Sequence, residues 1–202
     1  MQTALIALFA YLLGSVSFAL LVSRAMGLPD PRSYGSKSPG ATNVLRSGSK
    51  VAAVLTLAGD AGKGALAVGL TVLYTGEPPA LGTDAPIAGA MAFLGHLYPV
   101  YHGFKGGKGV ATAAGVLLAL DPLKLGLSAL GTFAILVAFF RIVSFASIVA
   151  AAFAIFAVWL IYPMTPVAAS VTAMAVLLVW RHRANIQRLA SGAEPRLGER
   201  KT

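Results

Sequence analysis

What most constrains this chain is a succession of apolar runs, several close to the roughly 20 residues that a helix needs to cross about 30 Å of hydrocarbon. They fall at about 4–23, 51–75, 85–99, 108–120, 123–140, 142–162 and 167–180, separated by short polar or proline-containing links. In lipid a segment must satisfy its own backbone N–H and C=O groups, and continuous apolar runs of this kind can do so only as helices. A water-soluble domain carries charge on about a quarter of its residues; here the share is 11%, against 57% hydrophobic. The expectation is an all-α, polytopic membrane helix bundle forming a single domain over 1–202. Met1-Gln2-Thr3 offers no basic stretch ahead of the first run and no small-residue cleavage site follows it, so this run is expected to stay as a helix.

Charge in the links gives an orientation. With the link 24–50 placed inside, the segments 24–50, 99–108, Arg141 and the tail 181–202 hold fourteen of the sixteen lysines and arginines. The outside links keep Lys124 alone, beside Glu77, Asp84 and Asp121. That asymmetry fits about seven transmembrane helices, N-terminus outside and C-terminus cytoplasmic. The runs 85–99 and 108–120 are about 14 residues, roughly 21 Å, so a five-span alternative would make both re-entrant. The net charge of +9 is then cytoplasmic loop charge, and no nucleic acid is expected. Without cysteine there is no disulfide, thiolate metal site or cysteine nucleophile. The three histidines stand too far apart for a metal-binding spacing, and no metal or other cofactor is expected.

The chemistry gathers on the inside segments. Gly103-Phe104-Lys105-Gly106-Gly107-Lys108-Gly109 packs four glycines and two lysines into seven residues. Glycine lets backbone amides approach a ligand, successive inward N–H groups form a nest for anions, and a helix starting after Lys108 would add its positive end. The expectation is a phosphate cradle. It is not the nucleotide P-loop, because Gly109 stands where Ser or Thr is required. In the loop 35–46, Ser36, Gly40, Thr42 and Asn43 offer donors or close approach, and Arg46 a fork suited to bidentate phosphate. The plainer alternative is an ordinary turn in which Asn43 caps a helix. Asp60 and Lys63 share one face of the second run, where ionisable groups normally pair. His96 sits beside the cradle, either as a hydrogen-bonded structural residue or as a functional one. In the tail, Arg181, Asn185 and Arg188 follow i, i+4, i+7 spacing and His182 joins Asn185 at i, i+3. Alone that stripe would suit an interfacial helix on anionic lipid; with the other segments it completes a cationic site for one or two phosphorylated ligands.

These motifs resemble those of the bacterial acyl-phosphate-dependent glycerol-3-phosphate acyltransferases. The resemblance runs through Gly35-Ser36, Gly40-Ala41-Thr42-Asn43 and Arg46; through Gly95-His96, Pro99, the stretch 104–109 and Ala111-Thr112; and through His182, Asn185, Arg188-Leu189, Gly192 and Glu194. Asp60 and Lys63-Gly64 match as well. It implies acyl transfer from acyl phosphate to the 1-hydroxyl of glycerol 3-phosphate, in a bacterial inner membrane with the site on the cytoplasmic face. It further implies membrane lipid as surroundings, no cofactor and no obligate protein partner. Carried over by position, Ser36, Arg46, Lys105, His182 and Asn185 would serve catalysis, while Gly40, Thr42, Asn43, His96, Gly106, Gly107, Lys108, Gly109 and Arg188 would surround the phosphates. Asp60, Lys63 and Glu194 would be structural. No histidine here has Asp five positions on, so the H-x-x-x-x-D acyltransferase pattern is absent. A transporter for a phosphorylated metabolite is the alternative, but it would want polar residues continuing across the spans, and few occur.

Overall fold

The computed structural model describes residues 1–199; Arg200 and Lys201, counted above in the basic tail, lie outside the described residues. Ten α-helices are laid out in order, with no strand among the described residues. They are α1 (Gln2–Gly14), α2 (Phe18–Ala25), α3 (Ala41–Val44), α4 (Lys50–Thr75), α5 (Asp84–Leu97), α6 (Val110–Leu120), α7 (Ser128–Phe140), α8 (Val143–Ile161), α9 (Pro166–Arg181) and α10 (Arg183–Ala190).

Local chemistry sets the ends. Pro99 disfavours helix at the residue before it, and α5 stops at Leu97 with Tyr98 already non-helical. Asp121 accepts from the amides of Leu123 (3.1 Å) and Lys124 (2.9 Å), opening a π-helical turn, Pro122–Leu127, that runs into α7. Arg141 takes a left-handed conformation (φ 59°) that ends α7. Thr165 caps α9 through the amide of Ala168.

Four stretches are long and apolar enough to cross a membrane: Gln2–Ala25, Lys50–Thr75, Pro122–Phe140 and Val143–Ile161. α5, α6 and α9 are shorter, at 14, 11 and 16 residues. α5 is the centre of the bundle. Ten of its fourteen residues are buried, whereas in α7 only Ala129 is. A Cβ on Gly95 would lie 2.2 Å from the Tyr11 carbonyl oxygen, so α5 and α1 cross as closely as glycine permits. The main core gathers Phe93 and Leu97 of α5, Val116 and Leu120 of α6, Val158 of α8, and Val167, Val171 and Met174 of α9. Leu57, Leu73, Ile135, Phe139, Phe156 and Leu160 face outward, as a lipid-facing belt requires.

The run 4–23 departs from expectation. Instead of one helix it forms α1 and α2, broken at residues 15–17, with Ser17 extended. The break frees the Val16 carbonyl, which accepts from Lys63 Nζ at 2.6 Å. Lys63 also lies 2.9 Å from Asp60 Oδ1. A buried ammonium needs such partners, and an irregular carbonyl at membrane depth is tolerated when a neighbouring helix satisfies it.

Candidate active site

The glycine–lysine stretch folds back on α5 rather than opening as a nest. The amides of Gly106 and Gly107 donate to the carbonyls of Leu97 and His96, both at 3.2 Å. The last carbonyls of α5 lack partners within their own helix, and this loop supplies them. The expected cradle built from these two amides is therefore not what forms. Their carbonyls point the other way, to Arg181, whose Nη2 donates to Gly106 (2.8 Å) and Nε to Gly107 (3.1 Å). Gly107 has no room for a side chain: a Cβ would lie 2.3 Å from His96 Nε2 and 2.5 Å from the Pro39 carbonyl oxygen. It is thus wedged between α5 and the loop 35–46. α6 begins at Val110, after Gly109 in a left-handed conformation, which leaves Lys108 in the loop.

Between the two loops lies a cavity of about 390 Å³, lined by Arg32, Lys37, Ser38, Pro39, Phe104, Lys105, Gly106 and Arg181. Among the described residues no carboxylate lines it. Asp30 engages Arg32 from outside, at 2.6 Å; the Arg32 hydrogen bond, with burial opposing it, holds the Asp30 carboxyl below its usual range. Lys37 (φ 54°) and Phe104 (φ 60°) both hold left-handed backbones, conformations that cost non-glycine residues about 1–2 kcal/mol and tend to collect at functional sites. Asn43 staples the upper loop. Its Nδ2 donates to the carbonyls of Pro31 (2.6 Å) and Tyr34 (3.2 Å), and its Oδ1 accepts from the Ser36 amide (3.0 Å). It lies inside α3 and does not cap it. Arg46 folds over Gly35, where a Cβ would meet its Nη1 at 3.0 Å. Ser36, Thr42 and Arg46 are exposed and their side chains make no hydrogen bond among the described residues, while Gly40 has open space beside its Cα.

On the other side stands the tail. The helix breaks at His182, between α9 and α10, instead of continuing. Asn185 Oδ1 accepts from Lys108 Nζ at 2.6 Å, and its Nδ2 donates to Glu194 Oε1. Glu194 also accepts from Ser144 Oγ and Arg188 Nε, each at 2.7 Å. Lys108, Asn185, Glu194 and Arg188 are thereby one chain of contacts, and Arg188 spends its charge on Glu194. Burial opposes ionisation of Glu194, but these three donors outweigh it and hold the carboxyl below its ordinary value. Burial pushes Lys108 down to about 8, Glu194 partly restoring it and Arg188, Arg46 and Arg181 adding like-charge repulsion. Burial likewise pulls His182 down to about 4, so the ring is neutral near pH 7. Its Nδ1 lies 2.8 Å from the Leu178 carbonyl; a carbonyl can only accept, which assigns the proton to Nδ1 and leaves Nε2 as an acceptor.

His96 faces away from the cavity. Its Nδ1 lies 3.5 Å from Asp60 Oδ1, so Asp60, Lys63 and His96 form one buried cluster behind the loop. Arg181 belongs to the tail stripe of Asn185 and Arg188, and Lys37 and Ser38 to the donor-rich loop 35–46, but the sequence assigns none of the three an individual role; Arg32 lies outside both patterns.

A family model described as Glycerol-3-phosphate acyltransferase matches residues 4–192. The chain is 55% identical over 201 residues to a glycerol-3-phosphate acyltransferase of Paraburkholderia phymatum, covering 100% of this chain and 95% of that one. It is 60% identical over 203 residues to one from Burkholderia ambifaria, covering 100% and 93%. The fold is similar to the crystal structure of PlsY (YgiH), an integral membrane glycerol 3-phosphate acyltransferase, in its glycerol 3-phosphate form, with TM-score 0.90, 36% identity, and 98% and 96% of the two chains covered. The lysophosphatidic acid form of the same enzyme gives TM-score 0.88 at 35% identity, again covering 98% and 96%.

Proposed function

Because the chain belongs to the glycerol-3-phosphate acyltransferase family, we propose that it transfers a fatty acyl group from acyl phosphate to the 1-hydroxyl of sn-glycerol 3-phosphate. The products are lysophosphatidic acid and inorganic phosphate, the first acylation of phospholipid synthesis. The observation that carries this reading is the acid-free cavity between two loops of one bundle end, walled by Lys37, Lys105 and Arg181 with Arg46 and Lys108 beside it. Glycerol 3-phosphate and lysophosphatidic acid, the ligands of the similar solved structures, serve as acceptor and product in this reading.

Acyl phosphate is already activated, so the task is to hold two anions together in reacting geometry, which can lower a barrier by about 7–11 kcal/mol. Arg46, Lys105 and Lys108 offset the repulsion between the phosphates. Ser36 and Asn185 stand as neutral groups for the charge that develops on the carbonyl or the departing phosphate. The attacking hydroxyl hands its proton either to Nε2 of His182 or to a phosphate oxygen of the substrates; the family resemblance favours the substrate.

The same reading places the chain in a bacterial inner membrane. All of α1–α2, α4, α5, α6, α7, α8 and α9 count as membrane segments, with the N-terminus outside and the cavity at the cytoplasmic face. The concentration of arginine and lysine at the cavity end supports this orientation. The deciding assay supplies purified protein with acyl phosphate and glycerol 3-phosphate and follows lysophosphatidic acid and phosphate. Both should appear in equal amounts. No product, or product only with acyl-CoA, overturns the assignment.

A further inference from the structure

Gly106 and Gly107 have all four of their backbone polar atoms engaged. Their amides are held by the carbonyls of Leu97 and His96, and both carbonyls are held by one side chain, Arg181. The Arg181 guanidinium also lies 5.5 Å from the Tyr98 ring centroid, in range for a cation–π contact. Tyr98 is itself fixed, since its carbonyl accepts from the Tyr11 hydroxyl at 2.7 Å. The guanidinium is thus seated on the α1–α5 crossing while it grips the loop. Lys105 and Lys108 flank the gripped dipeptide directly. Because Gly107 is wedged between Pro39, which lines the cavity, and His96 behind the loop, a shift there would disturb the cavity wall and the buried cluster together.

We propose that Arg181 is a positioning residue: by clamping the carbonyls of Gly106 and Gly107 it sets where Lys105 and Lys108 present their charges to the phosphorylated substrates. This rests on the acyltransferase reading above. Arginine suits the role because its planar fork presents parallel N–H donors to two successive carbonyls, whereas a lysine ammonium is a point charge without that geometry. Lysine therefore separates the clamp from mere positive charge.

The test compares full-length wild type with Arg181→Lys, Arg181→Gln, Lys105→Ala and the double variant Arg181→Lys with Lys105→Ala. Wild-type turnover is measured first; its absence sinks the acyltransferase reading, while the exchange measurement below still judges the clamp. Arg181→Lys should lower kcat/KM for glycerol 3-phosphate by about 10- to 100-fold, the scale of a misplacement near 1 Å. Its melting temperature should stay close to wild type. Hydrogen exchange at the amides of Gly106 and Gly107 should quicken by about tenfold or more, as local opening becomes easier. Lys105→Ala should cost less in the Arg181→Lys background than in wild type, since a lysine already misplaced has less to lose. Where Arg181→Gln does not fold, Arg181→Lys carries the test alone. Wild-type kinetics in Arg181→Lys, or unchanged exchange with losses that multiply independently, would overturn the clamp.

Discussion

The two ends of the bundle handle polar groups in opposite ways. At the end where α6 finishes and α8 meets α9, Asp121 and Glu77 are taken up by hydrogen bonds within the fold. Asp121 accepts from the amides of Leu123 and Lys124 and from the Tyr162 hydroxyl at 2.6 Å. Glu77 accepts from the Thr83 amide, and Thr165 caps α9 while bonding the Tyr162 carbonyl. At the other end the side chains of Ser36, Lys37, Thr42, Arg46 and Lys105 make no hydrogen bond among the described residues, and the acids nearby are occupied, Asp30 with Arg32 and Glu194 with Ser144, Asn185 and Arg188. One end has spent its hydrogen-bonding capacity on the fold. The other keeps donors and positive charge unspent, which is what the proposed acyltransferase reading asks of it.

Substitutions can break that contrast. The largest effect is expected from Arg46→Ala and Lys105→Ala. Each should cost about 10²- to 10³-fold in kcat/KM, the usual scale for removing a group that stabilises developing charge. Both side chains are exposed, so stability measured by thermal unfolding should move by no more than about 0.5 kcal/mol. A loss below tenfold in both would show that the reserve of charge is not used. Next comes pH. The Lys108 pKa is lowered by burial to about 8, and phosphate needs the ammonium form. Affinity for glycerol 3-phosphate should be full well below pH 8 and fall as pH rises through it, by about tenfold per unit beyond. Lys108→Arg, always charged, should flatten that rise in KM, and a flat wild-type profile would remove Lys108 from the site. His182→Gln should retain turnover within about tenfold of wild type, since loss of an obligatory base costs about 10²–10⁴. A collapse of kcat with KM intact would make Nε2 the proton acceptor. The smallest effect belongs to the opposite end. Asp121→Ala removes a cap and should lower stability by about 1 kcal/mol, with kcat/KM unchanged in the coupled product assay.

How much of this could be read beforehand depended on how far each partner lies along the chain. Helix limits set by local residues were legible: Pro99 after α5, Arg141 between α7 and α8, Thr165-Pro166 at the start of α9. That the loop 35–46, the glycine–lysine stretch and the tail come together was legible too, because charge and glycine marked each of them. The break at residues 15–17 was not. Ser15-Val16-Ser17 sits in an apolar run, and the group that stabilises the break, Lys63, is 47 residues away. The amides of Gly106 and Gly107 were misjudged for a related reason. Glycine content shows that amides can approach something, but not that the exposed carbonyls of α5 claim them first. Arg181 was visible as one member of a polar stripe, yet its targets are backbone oxygens, which leave no trace in residue type. Lys37 and Phe104 carry positive φ without being glycine, so no residue type announced their strain.

The bond from Lys63 Nζ to the Val16 carbonyl also bears on how the protein is made. A nascent chain whose synthesis has reached only residue 62 lacks the ammonium that the opened turn at residues 15–17 bonds in the folded protein. In lipid an unsatisfied carbonyl costs several kcal/mol, and the Val16 bond gives a second partner to an ammonium that Asp60 already holds within α4. The contact therefore ties the opened turn between α1 and α2 to the middle of α4, 47 residues on, and couples the packing of the first two apolar stretches.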